Sequence, residues 1–298
     1  MLKPSSKPND HPLLGISLML GAVLAFAFMD VAMKLLVEHY PAIQVTFLRC
    51  AGSMPLFAVA IVVSGDREQF ASANLGLQLV RAMIGILMLT TVGICFRELP
   101  LADAYAIFFA APLLIVLLSG PLLGEAAGKR LIIAALVGFI GVLIVLKPEG
   151  RSLALSLGAA MGLIGMLCYS ITSLLLRRLG RQDSALTIAF YYTLLAGAGS
   201  ALLVWPVWQP IQRADWLALL VLIIAGTIAQ FLISMAYRRA SPATLAPFEY
   251  TAMIWALLFG YSMWRDVPGT RMIIGSIIVV AAGLYIIRHE QRRSRTSV

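Results

Sequence analysis

WLALLVLIIAGTIAQFLISMAY, residues 216–237, holds 22 residues without a single formal charge. As a helix at about 1.5 Å per residue it spans roughly 33 Å, the thickness of a bilayer's hydrocarbon core. Similar charge-free windows run over 104–124, 152–176 and 184–212. The rest of the chain agrees: of 298 residues 60% are hydrophobic and only 12% are charged, with a mean hydropathy of +0.91. A soluble domain carries about 25% charged residues, so this surface cannot be that of a water-soluble globule. A soluble enzyme, a disordered chain and a disulfide-stapled secreted domain are all excluded, which leaves a polytopic membrane protein.

Working outward, ten apolar segments can be marked, near 12–35, 41–64, 75–97, 100–122, 129–147, 153–177, 183–206, 214–237, 241–264 and 270–288. Ten spans use about 200 residues at roughly 20 each, which leaves no room for a soluble domain. The first segment offers Ala25-Phe26-Ala27 as a cleavage-like site. It continues through Asp30 and Lys34 behind a polar, Pro-rich lead, so a retained first helix is expected. The net charge of +9 gathers in loops and in a terminal cluster from Arg288 to Arg295. That pattern belongs to cytoplasmic loops and gives no reason to expect a nucleic-acid partner. Fourteen Lys and Arg residues fall on the N-terminal side of the spans and seven on the other, while Arg49 and Arg81 lie inside spans. Both termini are therefore expected in the cytoplasm, across a cell (inner) membrane crossed an even number of times.

The two halves echo each other. Glu125-Ala-Ala-Gly128-Lys-Arg130 returns 141 residues later as Asp266-Val-Pro-Gly269-Thr-Arg271, and at the same offset Phe96-Arg97 meets Tyr237-Arg238. Five spans per half is an odd number, so the second copy is inverted, as in alternating-access transporters.

Phe96-Arg-Glu-Leu-Pro-Leu-Ala-Asp103-Ala-Tyr-Ala-Ile, continuing through Ala111-Pro112, Leu123-Gly-Glu125 and Gly138-Phe-Ile-Gly141 to Lys147-Pro148, resembles the EamA-type repeat of the drug/metabolite transporter superfamily. Val45-Thr-Phe47-Leu-Arg49 resembles that family's second-helix Phe-x-Arg pattern, and Ala240-Ser-Pro-Ala-Thr matches more loosely. The resemblance implies an all-α protein of ten transmembrane helices in two inverted five-helix repeats, 12–148 and 153–288. It further implies spans 1–4 and 6–9 around a central cavity, with spans 5 and 10 outside them, and passage of a small organic solute. The solute class left open covers amino acids, nucleoside-like compounds, vitamins and amines. A lipid or lipid-linked-sugar translocase on the same fold is the alternative. No cofactor is expected, the partners are a small-molecule substrate and the bilayer, and the chain is expected as a monomer or homodimer.

Ionisable groups within spans are expensive and therefore informative. Glu249 lies eight residues past Ser241, about 12 Å deep. It is a candidate for binding a substrate amine or coupling protons, since a lone carboxylate in hydrocarbon must be solvated, paired or protonated. Arg49 and Arg81 offer planar forks for a carboxylate or phosphate. Asp30 is a second proton-coupling candidate, although Lys34 four residues on suggests a plain intrahelical pair. Asp103 is expected to cap the fourth span or meet an arginine. Tyr105, Phe108, Phe109, Tyr169, Tyr191, Tyr192, Tyr250 and Trp255 are aromatic candidates for a cavity lining; of these Tyr105, Phe108, Tyr169, Tyr250 and Trp255 join Glu249, Arg81 and Arg49 as the expected substrate-binding set. Phe108 and Glu249 occupy equivalent positions at the 141-residue offset. Trp205, Trp208, Trp216 and Trp264 read as interfacial belt. Gly158 with Gly162, and Gly120 with Gly124, are spaced for close helix contact, and Pro112, Pro206 and Pro247 for kinks. Enzymatic motifs fail: the stretch from Gly124 to Arg130 lacks the spacing and the Ser/Thr of a P-loop, and no His-Glu-x-x-His occurs. Cys50, Cys95 and Cys168 sit in apolar runs as buried small residues, and no metal site is expected.

Overall fold

The computed structural model describes residues 12–111, 113–115, 118, 133, 136–141, 144, 156–240, 245, 248–267 and 269–296. Among them every regular element is helical. The helices are α1 (Pro12–His39), α2 (Ala42–Val63), α3 (Leu75–Glu98), α4 (Leu101–Phe108), α5 (Leu157–Leu179), α6 (Ala185–Val204), α7 (Trp216–Arg239), α8 (Ala252–Phe259) and α9 (Thr270–Thr296). In lipid the backbone must satisfy its own hydrogen bonds, and a helix does so within one segment. Six of these helices, α1, α2, α3, α5, α6 and α7, are long and apolar enough to cross a bilayer. Shorter apolar helices run over Leu101–Ile115, Ala252–Trp264 and Thr270–Ala282. Of the expected fifth span only residues 133, 136–141 and 144 are described, and the loop around Gly128, the Gly120/Gly124 pair, Pro112 and Pro247 lie outside the described residues.

Local chemistry sets the ends. Asn74, Ser156 and Ser184 each accept a hydrogen bond from a backbone N–H three residues on, capping α3, α5 and α6. Pro41 and Pro100 start α2 and α4. Gly65 closes α2 at φ 73°, a left-handed turn that suits a residue with no Cβ. Beyond α8 the helix widens into a π-helical stretch, Gly260–Trp264, and stops at Arg265 with φ 57°.

Packing joins the halves rather than each half to itself. The most extensive contacts are α1 on α7, α3 on α5 and α2 on α6, each an antiparallel pair. Exchanging first-half helices for second-half ones maps α1–α7 onto α3–α5 and α2–α6 onto itself. Gly158 and Gly162 serve the α3–α5 contact: a Cβ on Gly158 would lie 2.6 Å from Glu98 Cβ, and one on Gly162 would lie 3.0 Å from Cys95 Sγ. At one end of the bundle α8 finishes beside α1, where Trp264 Nε1 donates to Glu38 at 3.4 Å. The 27-residue α9 starts there and runs back toward the end where α1 begins.

Both ends are clasped by polar contacts between halves. At the end where α1 begins, Asp183 accepts from Ser72 Oγ (2.6 Å), Ala73 N (2.8 Å) and Gln78 Nε2 (2.9 Å). Tyr191 also acts there, donating to Phe70 O at 2.8 Å. At the opposite end Tyr40 donates to Asp215 at 2.7 Å and accepts from Gln212 N at 2.8 Å, while Gln44 and Gln209 pair at 2.6 and 2.9 Å.

Two expectations are corrected. Asp30 and Lys34 do not pair. Lys34 Nζ donates to the carbonyls of Phe96 and Leu99, both at 2.7 Å, and lies 5.4 Å from the Trp264 ring centroid. The last carbonyls of a helix lack intrahelical donors and carry its negative pole, so a buried ammonium is better used there. The N-cap of α4 is Pro100, not Asp103, which sits in the first turn, where the helix dipole favours it. Trp205, Trp208 and Trp216 are exposed at helix ends, as a belt requires, whereas Trp264 is tied into the contacts with Lys34 and Glu38.

Candidate functional site

A cavity of about 190 Å³ lies in the middle of the bundle, and residues from α1 through α8 line it. Of the candidates, Asp30, Arg49, Arg81, Tyr105, Phe108, Tyr169 and Glu249 line it, together with Phe109 and Tyr192. Tyr250 and Trp255 do not. The Tyr250 ring is buried edge-on to Phe109 at 5.3 Å, and Trp255 stacks on Phe259 at 6.3 Å. Glu249 faces inward, and Tyr250 in the turn that follows it is directed to Phe109 instead.

Each carboxyl group has a phenol from another helix. Tyr105 of α4 donates to Asp30 at 2.5 Å, and Tyr237 of α7 donates to Glu249 at 2.9 Å. The phenol of Tyr169 stands against the same Glu249 carboxyl group. This arrangement meets the demand that a polar group removed from water keep a hydrogen-bond partner.

The arginines come from other helices. Arg49 of α2 is 5% exposed and Arg81 of α3 is 4% exposed. The guanidinium carbon of Arg81 lies 4.4 Å from the centroid of the Tyr192 ring of α6. Two glycines make room: a Cβ on Gly85 would lie 2.4 Å from Tyr192 Cε2, and one on Gly226 would lie 3.0 Å from Arg49 Nε. These glycines are themselves 141 residues apart. Neither arginine reaches ion-pair distance of Asp30 or Glu249; His39 Nδ1 lies 3.3 Å from Asp215, away from the cavity. The remainder of the wall is apolar and aromatic, with Phe26, Phe96 and several methionines alongside Thr172, Ser173 and Gln230. Among the described residues no cluster of His, Cys, Asp or Glu could hold a metal ion.

The sequence reading missed Tyr237, Ser173 and Gln230. Tyr237, the donor to Glu249, sits at the 141-residue offset from Phe96, which lines the cavity, so the repeat carried a signal for it. Gln230 was legible as an amide within an otherwise apolar run.

The chain is similar over nearly its whole length to known transport proteins. It is 29% identical to a riboflavin transporter of Vibrio cholerae, covering 96% of this chain and 97% of that protein. It is 25% identical to the pseudopaline exporter CntI of Pseudomonas aeruginosa, over 92% of this chain and 96% of that one. It is 20% identical to an S-adenosylmethionine uptake transporter of Rickettsia prowazekii, over 93% and 94%. A solved crystal structure shares the fold with a TM-score of 0.68 at 19% identity, covering 94% of this chain and 98% of that one. The model of the EamA-like transporter family matches twice, over residues 13–147 and 156–288. A bundle of apolar helices around a central cavity, matched by that model in both halves, makes this chain a member of the EamA-like transporter family, within the drug/metabolite transporter superfamily.

Proposed function

We propose that the protein is a secondary transporter that moves a small polar or zwitterionic metabolite across the cytoplasmic membrane by alternating access through the central cavity. The observation that carries this reading is the concentration of buried ionisable groups on one cavity: two carboxyl groups and two arginines, from α1, α2, α3 and the residues just before α8, in a bundle that otherwise offers hydrocarbon. Such groups face a pathway or a site when they occur within spans. The transporters similar in sequence support the same class of function, and their different named solutes leave the substrate open.

The full architecture is ten helices in two inverted repeats, 12–148 and 153–288, with both termini cytoplasmic. The exchange symmetry of the helix pairs supports the repeat, as do Gly85 and Gly226 at equivalent positions. So does the return of α9 to the end where α1 begins. Glu249, Arg81, Arg49, Phe108, Tyr105 and Tyr169 form the substrate site. Glu249 and Asp30 are its proton-coupling groups. Either half of the bundle moves against the other while the polar clasps at the two ends break in turn.

The test is uptake into proteoliposomes of a labelled panel holding amino acids, nucleosides, riboflavin and S-adenosylmethionine. Saturable, protein-dependent accumulation or exchange supports the proposal. Turnover of a compound without net movement would mark an enzyme, and movement of fluorescent lipid alone would mark a lipid translocase.

A further inference from the structure

The two kinds of charge in the cavity are not treated alike. Each carboxyl group has a phenol donor, Tyr105 for Asp30 and Tyr237 for Glu249. The arginines have donors left over: Nε and Nη1 of Arg81 and Nε of Arg49 find no acceptor among the described residues. Both side chains are more than nine-tenths buried and both line the cavity. Tyr192 covers one face of the Arg81 guanidinium at 4.4 Å, which leaves the donor edge as the part able to meet a ligand. Arg49 also meets the phenol of Tyr192, so Arg81 carries most of the unmatched donors, and buried guanidinium donors without an acceptor are a standing cost to the fold. An oxyanion in the cavity offsets it, because guanidinium matches carboxylate and phosphate with two parallel N–H···O bonds.

We infer that the substrate carries an oxyanion, a carboxylate or phosphate held by Arg81 and Arg49. This rests on the cavity being the transport site. Asp30 and Glu249 then act as acceptors for any N–H or O–H elsewhere on the substrate, and they disfavour a second negative charge there. Neutral and cationic compounds of the same skeleton leave the arginine donors unmet, and a site built to hydrogen-bond a group rejects the analogue that lacks it.

The experiment uses the purified full chain in lipid nanodiscs and measures thermal stabilisation by matched pairs that share a ring: indole-3-acetate and tryptamine, riboflavin 5′-phosphate and riboflavin, adenosine 5′-monophosphate and adenosine. The expected result is stabilisation by an anionic member with an affinity roughly tenfold or more above its partner's, as a charge-assisted hydrogen bond supplies. Arg81→Gln and Arg49→Gln should each erase that preference. A second measurement needs no ligand. Arg81→Met should melt about 2 °C or more above the wild type, because it removes an unmatched buried charge. Equal or better binding of the neutral or cationic members, no binding by any anionic member, or a preference that survives both glutamine variants overturns the inference. So does a lower melting temperature for Arg81→Met, which would mark Arg81 as a structural brace on Tyr192. Transport of any panel compound of whatever charge into proteoliposomes keeps the transport reading standing even then.

Discussion

Glu249 is held by Tyr237 and Tyr169 and not by an arginine, and this decides what its substitution should do. Tyr237→Phe removes the 2.9 Å donor without changing ring volume. It should weaken transport by roughly tenfold, the worth of a hydrogen bond to a charged group, with little change in melting temperature; an unchanged initial rate would contradict this. Gly85→Ala is expected to be harsher, because its Cβ falls 2.4 Å from a packed ring carbon of Tyr192. Overpacking of this kind costs about 1–3 kcal/mol. A thermal melt should show the loss, and Tyr192→Leu in the same chain should relieve part of it. Much of the site could be read at this scale, since Glu249, Arg81, Arg49 and Asp30 are costly residues in apolar stretches. Their partners could not. The Asp30–Lys34 spacing suggested a local pair, yet the true partners lie 62 to 75 residues away in the chain. In the sequence Tyr237 reads as the end of the segment 214–237, with Arg238 and Arg239 after it.

At the scale of elements, the apolar windows foretold the long helices well, because a bilayer demands length and hydrophobicity together. The end of the segment 241–264 was less legible: helix α8, Ala252–Phe259, gives way to a π-helical stretch that no apolar window announces. The cross-bracing by Lys34 was invisible, since no pattern announces which distant carbonyls a lysine will cap. Lys34→Met should strand the Phe96 and Leu99 carbonyls and cost about 1–3 kcal/mol, read as faster amide exchange at the junction of α3 and α4. Unchanged exchange there would contradict the bracing role. The clasps carry a related prediction. Asp183 is met by three donors, so Asp183→Asn turns an N–H₂ group or a weaker acceptor toward them. Cysteine accessibility at residues 72 and 73 should rise at that end and stay unchanged near Tyr40.

For the whole molecule, a simple charge count and a 141-residue echo suggested cytoplasmic termini and an inverted repeat, but not that the main helix pairs each join the two halves. An orientation with both termini cytoplasmic predicts that cysteines at positions 5 and 295 are labelled only from inside and one at 212 only from outside; external labelling of either terminus would reverse it. The substrate was the part least legible in the sequence, because selectivity depends on which donors remain unmet once the helices have packed. The most direct measurement is exchange in proteoliposomes: efflux of a preloaded labelled panel compound, driven by the same unlabelled compound outside, for the wild type and Glu249→Gln at several pH values. The account predicts saturable exchange by the wild type. In Glu249→Gln it predicts either exchange that persists while pH-driven accumulation is lost or a weakened affinity. If no compound exchanges, or if Glu249→Gln transports like the wild type at every pH, the central cavity is not the transport site proposed.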